Sequence, residues 1–250
     1  MCLAASVSPD TATIWSIDLQ PEVPPFPDCL LPENGQLAAS ILSPEEFVKA
    51  SRFVTSSLRL RYAAAHVALR DILSYYLPLS PRQVAFATEN MGKPIVDPSM
   101  NPSSKPLHFN LTHSEDRALV AIAGDPIGID LEHRRPMSSR PGIDRQVYTP
   151  LERSRLKDAS DDVWFDHWTA KESILKVTGM GFYLSPLKVE LSPDLTTATA
   201  YQETGFSRWS LRMVDVGPSW SAMIATARPL QRIQLATYEW RDGLTASPTE

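Results

Sequence analysis

The sequence carries the same helix-start signal twice. "LSPEEF" (42–47) and "YTPLER" (148–153) each set a hydroxyl residue before a proline and a glutamate three positions after the hydroxyl. Such a box dictates a helix N-terminus. The hydroxyl of Ser43 or Thr149 accepts a backbone N–H, Pro44 or Pro150 suits the first helical position, and Glu46 or Glu152 reaches back to the cap. A short β-rich run precedes each box, "TIWSIDL" (13–19) and "PIGIDLE" (126–132), and a long helical pattern follows, 58–77 and "VWFDHWTAKESILKVTG" (163–179). Further strands are expected at "QVAFAT", "LHFNLT" and "ALVAIAG" in the first half, and at "LKVELS", "SRWSLRMVDV", "WSAMIATA" and "RIQLATYEW" in the second. The order strand, capped helix, long helix, strands thus recurs after about 110 residues. It predicts an α+β fold of two similar lobes, 1–124 and 125–250, joined near Gly124-Asp125-Pro126, with a ligand cleft between them.

Composition narrows the function. A chain of 250 residues with 43% hydrophobic content buries a substantial core. Its formal net charge of −5 excludes a broad basic surface for nucleic acid, although a local basic pocket remains compatible. "ALVAIAG" is far shorter than the roughly 18 apolar residues needed to span a bilayer, so no membrane partner is expected. "MCLAASVSPD" lacks the charged and apolar regions of a secretory signal, and Cys2 and Cys29 have no metal-type spacing, which fits a reducing cytoplasm. The proline-heavy segment 20–35 reads as a connector and "RDGLTASPTE" as a loose polar tail.

Several charged clusters invite chemistry. On a strand, Asp130 and Glu132 leave the same face; two carboxylates held that close suit a hard cation, or else mark a solvated strand end. Glu172 and Lys176 stand i, i+4 in the favourable order, which also describes a surface ion pair. Glu152 has a sufficient role in its capping box. Trp168 and Leu175, seven apart, read as core. His113 ends an apolar run with Thr112 beside it, Lys93 sits in a tight turn, "NMGKP", and Lys49 and Arg61 lie on the first lobe's helices. Taken together, cations (Lys49, Arg61, Lys93, Lys171, Lys176) and acids (Asp130, Glu132, Glu172) match a polyphosphate and a divalent metal.

In the order "GKP", "FNLTHS", "GIDLE", "WTAKESILKVTGMG", over about 52–182, the sequence resembles the 4′-phosphopantetheinyl transferases of the two-lobed, surfactin-synthetase-activating type. The resemblance implies a pseudo-dimeric fold with the active site in the inter-lobe cleft. It also implies transfer of the phosphopantetheine arm of coenzyme A to a serine of an apo acyl, peptidyl or aryl carrier protein, releasing adenosine 3′,5′-bisphosphate. By the family pattern Asp130, Glu132 and Glu172 bind Mg²⁺, with Mn²⁺ as a substitute. Lys49, Arg61 and His113 contact the 3′-phosphate or pyrophosphate, Lys93 lies beside the adenine, Thr112 touches phosphate, and Lys171 and Lys176 face phosphate oxygens. Glu152, directly or through a metal-bound water, is the candidate general base, with Glu172 and Lys176 completing the catalytic set. Glu46 stands where some members carry a second lysine, which weakens the expected grip on the 3′-phosphate; Thr112 replaces the usual serine and keeps the hydroxyl. The two-lobed length implies a monomer. Met180, Phe182 and Tyr183 form the candidate carrier-docking loop, or alternatively cap the lobe core. The same residues would also serve a Mg²⁺-dependent nucleotide-pyrophosphate hydrolase, and the fold alone a non-catalytic CoA-binding protein.

Overall fold

The computed structural model describes residues 7–20, 40–89, 91–100, 106–203 and 205–240. The connector beyond Gln20, the polar tail, Cys2 and Cys29 lie outside them. Both capping boxes form. Ser43 accepts from Glu46 N and Thr149 from Glu152 N, and each glutamate returns a carboxylate oxygen to its cap's backbone N–H.

In the first half, β1 (Thr11–Asp18) precedes α1 (Pro44–Ser51), α2 (Ser56–Tyr76), the short pair β2 (Phe86–Thr88) and β3 (Pro94–Val96), and the hairpin β4 (His108–Ser114) and β5 (Arg117–Ala123). In the second, β6 (Ile127–His133) precedes α3 (Arg140–Val147), α4 (Pro150–Leu156), α5 (Asp161–Thr178), β7 (Val189–Leu191), β8 (Thr197–Gln202), β9 (Gly205–Met213), β10 (Trp220–Thr226) and β11 (Arg232–Thr237). The expected repeat is visible in the pairing: β1 lies antiparallel to β5, and β6 antiparallel to β10. The architecture is α+β in two similar halves. β3, β8 and α3 were not expected from the sequence. β11, which chain order assigns to the second lobe, instead pairs parallel with β1, giving sheet orders β11-β1-β5-β4 and β6-β10-β9-β8-β7.

Strand alternation divides the core into layers. From β5, Ala118, Val120 and Ile122 join Trp15 and Ile17 of β1 against α2. The intervening Leu119, Ala121 and Ala123 meet Ile129, Leu131, Ala222 and Ile224 between the sheets. On the far side of the second sheet, Met223 and Ala225 pack under Ala170, Ile174 and Val177 of α5. Trp168 and Leu175, expected on one core face, are each partly buried but join different clusters, Trp168 stacking on Trp164. Among the described residues no helix is long and apolar enough to cross a membrane.

Candidate functional site

The two sheets meet where β4, an edge strand of the first, runs beside β6, an edge strand of the second. Side chains from alternate positions of β4 form this seam. Asn110 Oδ1 accepts from Ile129 N (2.8 Å), Thr112 Oγ1 donates to Asp130 Oδ1 (3.2 Å), and Ser114 Oγ donates to Glu132 Oε2 (3.1 Å) while accepting from His133 N (3.2 Å). The polar residues of "FNLTHS" and the acids of "GIDLE" are thus two sides of one junction.

Helix α5 is laid directly on that junction. A Cβ on Gly128 would come within 2.2 Å of Ser173 O and 2.5 Å of Val177 N, so only glycine lets strand and helix approach this closely. Ser160 caps the helix at its start, and Gly179, with φ of 66°, ends it. At about 100° per residue, consecutive charges on α5 point in different directions. Lys176 turns to the seam, where Nζ donates to Asp130 Oδ1 (2.6 Å) and Thr112 Oγ1 (3.0 Å). Glu172 and Lys176 line a cavity of about 330 Å³ together with Lys93, Asn110, Leu175 and Gly179, within the size range of small-molecule sites.

The acids at this junction feel one another. Burial raises the Asp130 carboxyl above its ordinary range against the opposing pull of Lys176, and burial, followed by the Asp130 charge, raises Glu172. Cations from both halves face His113. The surrounding protein, then Lys176 and Arg61, with a smaller contribution from Lys49, lower the exposed His113 ring's affinity for a proton. Arg61 Nη1 lies 3.5 Å from Glu115 Oε2, while its Nε is buried without a partner. Lys49 Nζ rests 5.4 Å from the Tyr62 ring centroid, and Tyr62 stacks on His66.

Two expected site residues are elsewhere. Glu152 and Lys171 are wholly buried, with Lys171 Nζ 2.7 Å from Glu152 Oε2. Lys171 also donates to Pro186 O (2.9 Å) and Val189 O, so its three protons are used. Glu152 also accepts from Thr149 N and Leu191 N (both 2.9 Å). A carboxylate sealed from solvent with both oxygens engaged does not reach a serine hydroxyl, and Lys171 does not reach a phosphate. Their expected roles as base and phosphate contact are therefore corrected to a structural one.

Other expectations are qualified. Lys93 lines the cavity, but its Nζ donates to Ile127 O (3.2 Å) and Val177 O (3.4 Å), tying the β2–β3 turn to the end of α5; burial lowers its affinity for a proton. Glu46 is not a free negative charge, because Oε2 accepts from Arg70 Nε (2.8 Å) and from Ser43 N (2.9 Å). In the expected docking loop Tyr183 is 74% exposed, whereas Met180 packs against the α5 core cluster. The Phe182 side chain lies outside the described structure.

Asp130, Glu132 and Glu172 are the right donors for a hard divalent cation, and Asp130 Oδ2 is buried with no partner. Among the described residues no group of three or more His, Cys, Asp or Glu side chains is gathered in a metal-holding arrangement. Lys176 sits on Asp130, and Arg135 Nη1 lies 3.3 Å from Glu132 Oε2. Sequence reasoning missed Asn110, which lines the cavity and holds Ile129 in register. The signal was available, since Asn110, Thr112 and Ser114 fall at i, i+2 and i+4 of one strand.

Comparison with known proteins adds an independent finding. The description "4′-phosphopantetheinyl transferase superfamily" matches residues 126–226, and "4′-phosphopantetheinyl transferase, N-terminal" matches 31–127. The chain is 36% identical over 203 residues to 4′-phosphopantetheinyl transferase HetI of Nostoc sp., covering 77% of this chain and 81% of that protein. It is 28% identical over 215 residues to 4′-phosphopantetheinyl transferase Sfp of Bacillus subtilis, covering 83% and 92%. The L-aminoadipate-semialdehyde dehydrogenase-phosphopantetheinyl transferase of Mus musculus is 26% identical over 195 residues, covering 70% and 62%.

Proposed function

The chain belongs to the 4′-phosphopantetheinyl transferase superfamily, and from that membership we propose that it moves the phosphopantetheine arm of coenzyme A onto a serine of an apo acyl, peptidyl or aryl carrier protein, releasing adenosine 3′,5′-bisphosphate. The observation that supports this reading is the meeting of cations and acids at the seam. Lys176 Nζ lies 2.6 Å from Asp130 Oδ1, and Lys176 and Glu172 line one cavity together with Lys93 and Asn110.

The serine Oγ attacks the phosphorus bearing the pantetheine arm. The Oγ–P bond forms as the P–O bond to the bisphosphate breaks, and the serine proton passes to a carboxylate. Glu172 suits that task, because it lines the cavity beside Lys176. Lys176, fixed by Asp130 and Thr112, offsets negative charge on the transferring phosphate. Arg61, Lys49 and His113 hold the terminal phosphate, and Lys93 borders the adenosine end. Asp130, Glu132 and Glu172 would hold Mg²⁺, which when bound supplies charge neutralisation at the pyrophosphate. The reading includes lobes at 1–124 and 125–250, apart from β11, and a monomer working in the cytoplasm with neither nucleic acid nor membrane as partner.

Intact-protein mass spectrometry of apo carrier proteins incubated with this chain, coenzyme A and Mg²⁺ tests the reading. A gain of one phosphopantetheine arm, absent with EDTA, is the expected result. No gain across acyl, peptidyl and aryl carriers would overturn it.

A further inference from the structure

The turn between β4 and β5 consists of two residues, Glu115 and Asp116, between the register pair Ser114 and Arg117. Glu115 has φ of 48°, whereas Asp116 is not in the positive region. Positive φ at a central position of a two-residue hairpin turn is ordinarily taken by glycine, asparagine or aspartate. An L-residue there is strained by its own Cβ. The chain accepts that strain at the edge of the candidate site, and its carboxylate points at Arg61.

The contact is too weak to be a stability device. Arg61 Nη1 and Glu115 Oε2 are 3.5 Å apart with the Glu115 side chain 54% exposed, and surface pairs of this kind contribute little to folding. Arg61 is meanwhile undersatisfied, because its Nε is buried with no partner. A guanidinium whose acid partner is held loosely at 3.5 Å and is itself exposed can exchange that partner for a better anion at Nη1. Arg61, Lys176 and Lys49 all act on His113, against the opposite pull of Glu132.

We propose that Glu115 is a specificity-determining residue that occupies Arg61 in the free protein and is displaced by the terminal phosphate of the ligand, tempering the grip on that phosphate. This rests on the transferase reading. The carboxylate lowers affinity most for ligands that bring the most negative charge to Arg61. Coenzyme A is therefore held less tightly than the cations alone would hold it, and adenosine 3′,5′-bisphosphate, which keeps the same phosphate, is released more readily.

Isothermal titration calorimetry of the full chain with coenzyme A and with dephospho-coenzyme A, for wild type, Glu115→Gln and Glu115→Gly, tests this. At low ionic strength Glu115→Gln is expected to tighten coenzyme A about three- to fivefold, the scale of one exposed charge pair, and to leave dephospho-coenzyme A within about 1.5-fold. The gain fades at roughly 0.5 M salt, as screening requires. Glu115→Gly shows the same gain together with a raised Tm, because glycine relieves the turn. Unchanged coenzyme A affinity in Glu115→Gln, or equal gains for both ligands, overturns the proposal while leaving the transferase reading intact. A wild-type chain that binds neither ligand overturns the transferase reading itself, and this inference with it.

Discussion

Lys171 and Glu152 form a sealed ion pair, Nζ to Oε2 at 2.7 Å with both side chains wholly buried, joining α5 to the N-terminus of α4. Each partner has further contacts, Glu152 to Thr149 N and Leu191 N, Lys171 to the carbonyls of Pro186 and Val189. Breaking a buried pair strands the remaining charge. Glu152→Gln and Lys171→Met should each lower unfolding free energy by about 3–5 kcal/mol in urea titrations, while the folded fraction keeps its turnover number. A Glu152→Gln protein of wild-type stability with lost turnover would restore Glu152 as the base.

Gly128 makes the close approach of β6 to α5 possible, and a methyl group there meets backbone rather than a movable side chain. Gly128→Ala should cost at least about 3 kcal/mol, the upper end of ordinary overpacking. Chemical denaturation measures the cost. The loss of activity should exceed the loss of folded protein, because the shift moves Glu172 and Lys176 relative to Asp130.

Lys176 stands on a buried carboxylate and faces the cavity, so its removal has two consequences. Lys176→Ala should lower kcat by about 10²–10³, the scale of one lost electrostatic donor. It should also lower Tm, since Asp130 then keeps an uncompensated charge in the protein. Steady-state kinetics at saturating coenzyme A and a thermal melt separate the two effects.

Divalent metal should stabilise the folded chain through Asp130, whose Oδ2 is buried without a partner. Added Mg²⁺ should raise Tm, EDTA should reverse the rise, and Asp130→Asn should abolish it. Equal shifts in wild type and Asp130→Asn would remove this aspartate from the metal site.

His66, stacked on Tyr62, is held by burial at a pKa of about 4, against its ordinary 6.5. The unfolded chain therefore takes up this proton before the folded one does. The stability contribution is complete above pH 6.5 and is lost as pH falls from there to about 4, by up to about 3 kcal/mol at ~1.4 kcal/mol per unit. His66→Gln should flatten that part of a stability-against-pH curve. An unchanged slope would assign the acid loss to the other histidines that burial depresses, His108, His113 and His167.

Local chemistry was legible in the sequence wherever the determining atoms lie within one turn or one strand. Ser43 and Thr149 start their helices as their boxes require, Gly179 ends α5 where the glycines of "TGMG" indicate, and the alternation along β5 divides its side chains between two core layers. Asp130 and Glu132 share a face because strands have a period of two. The seam was half-legible: Asn110, Thr112 and Ser114 show the same period, but nothing in their spacing names β6 as the partner.

What the sequence by itself determined is therefore the inventory of helix starts, stops and strand faces, together with the charged residues each presents. Tertiary structure alone decided the environment of each charge. Lys171 and Glu172 are neighbours in sequence, yet about 100° of helical rotation buries one in a closed ion pair and turns the other to a cavity. Glu152 and Lys171 are 0% exposed because β7 and the carbonyls of Pro186 and Val189 close over them. Spacing fixes the direction in which a side chain leaves its own element; desolvation and partner atoms come from elements distant in sequence, and these separate a sealed structural charge from one available to a ligand.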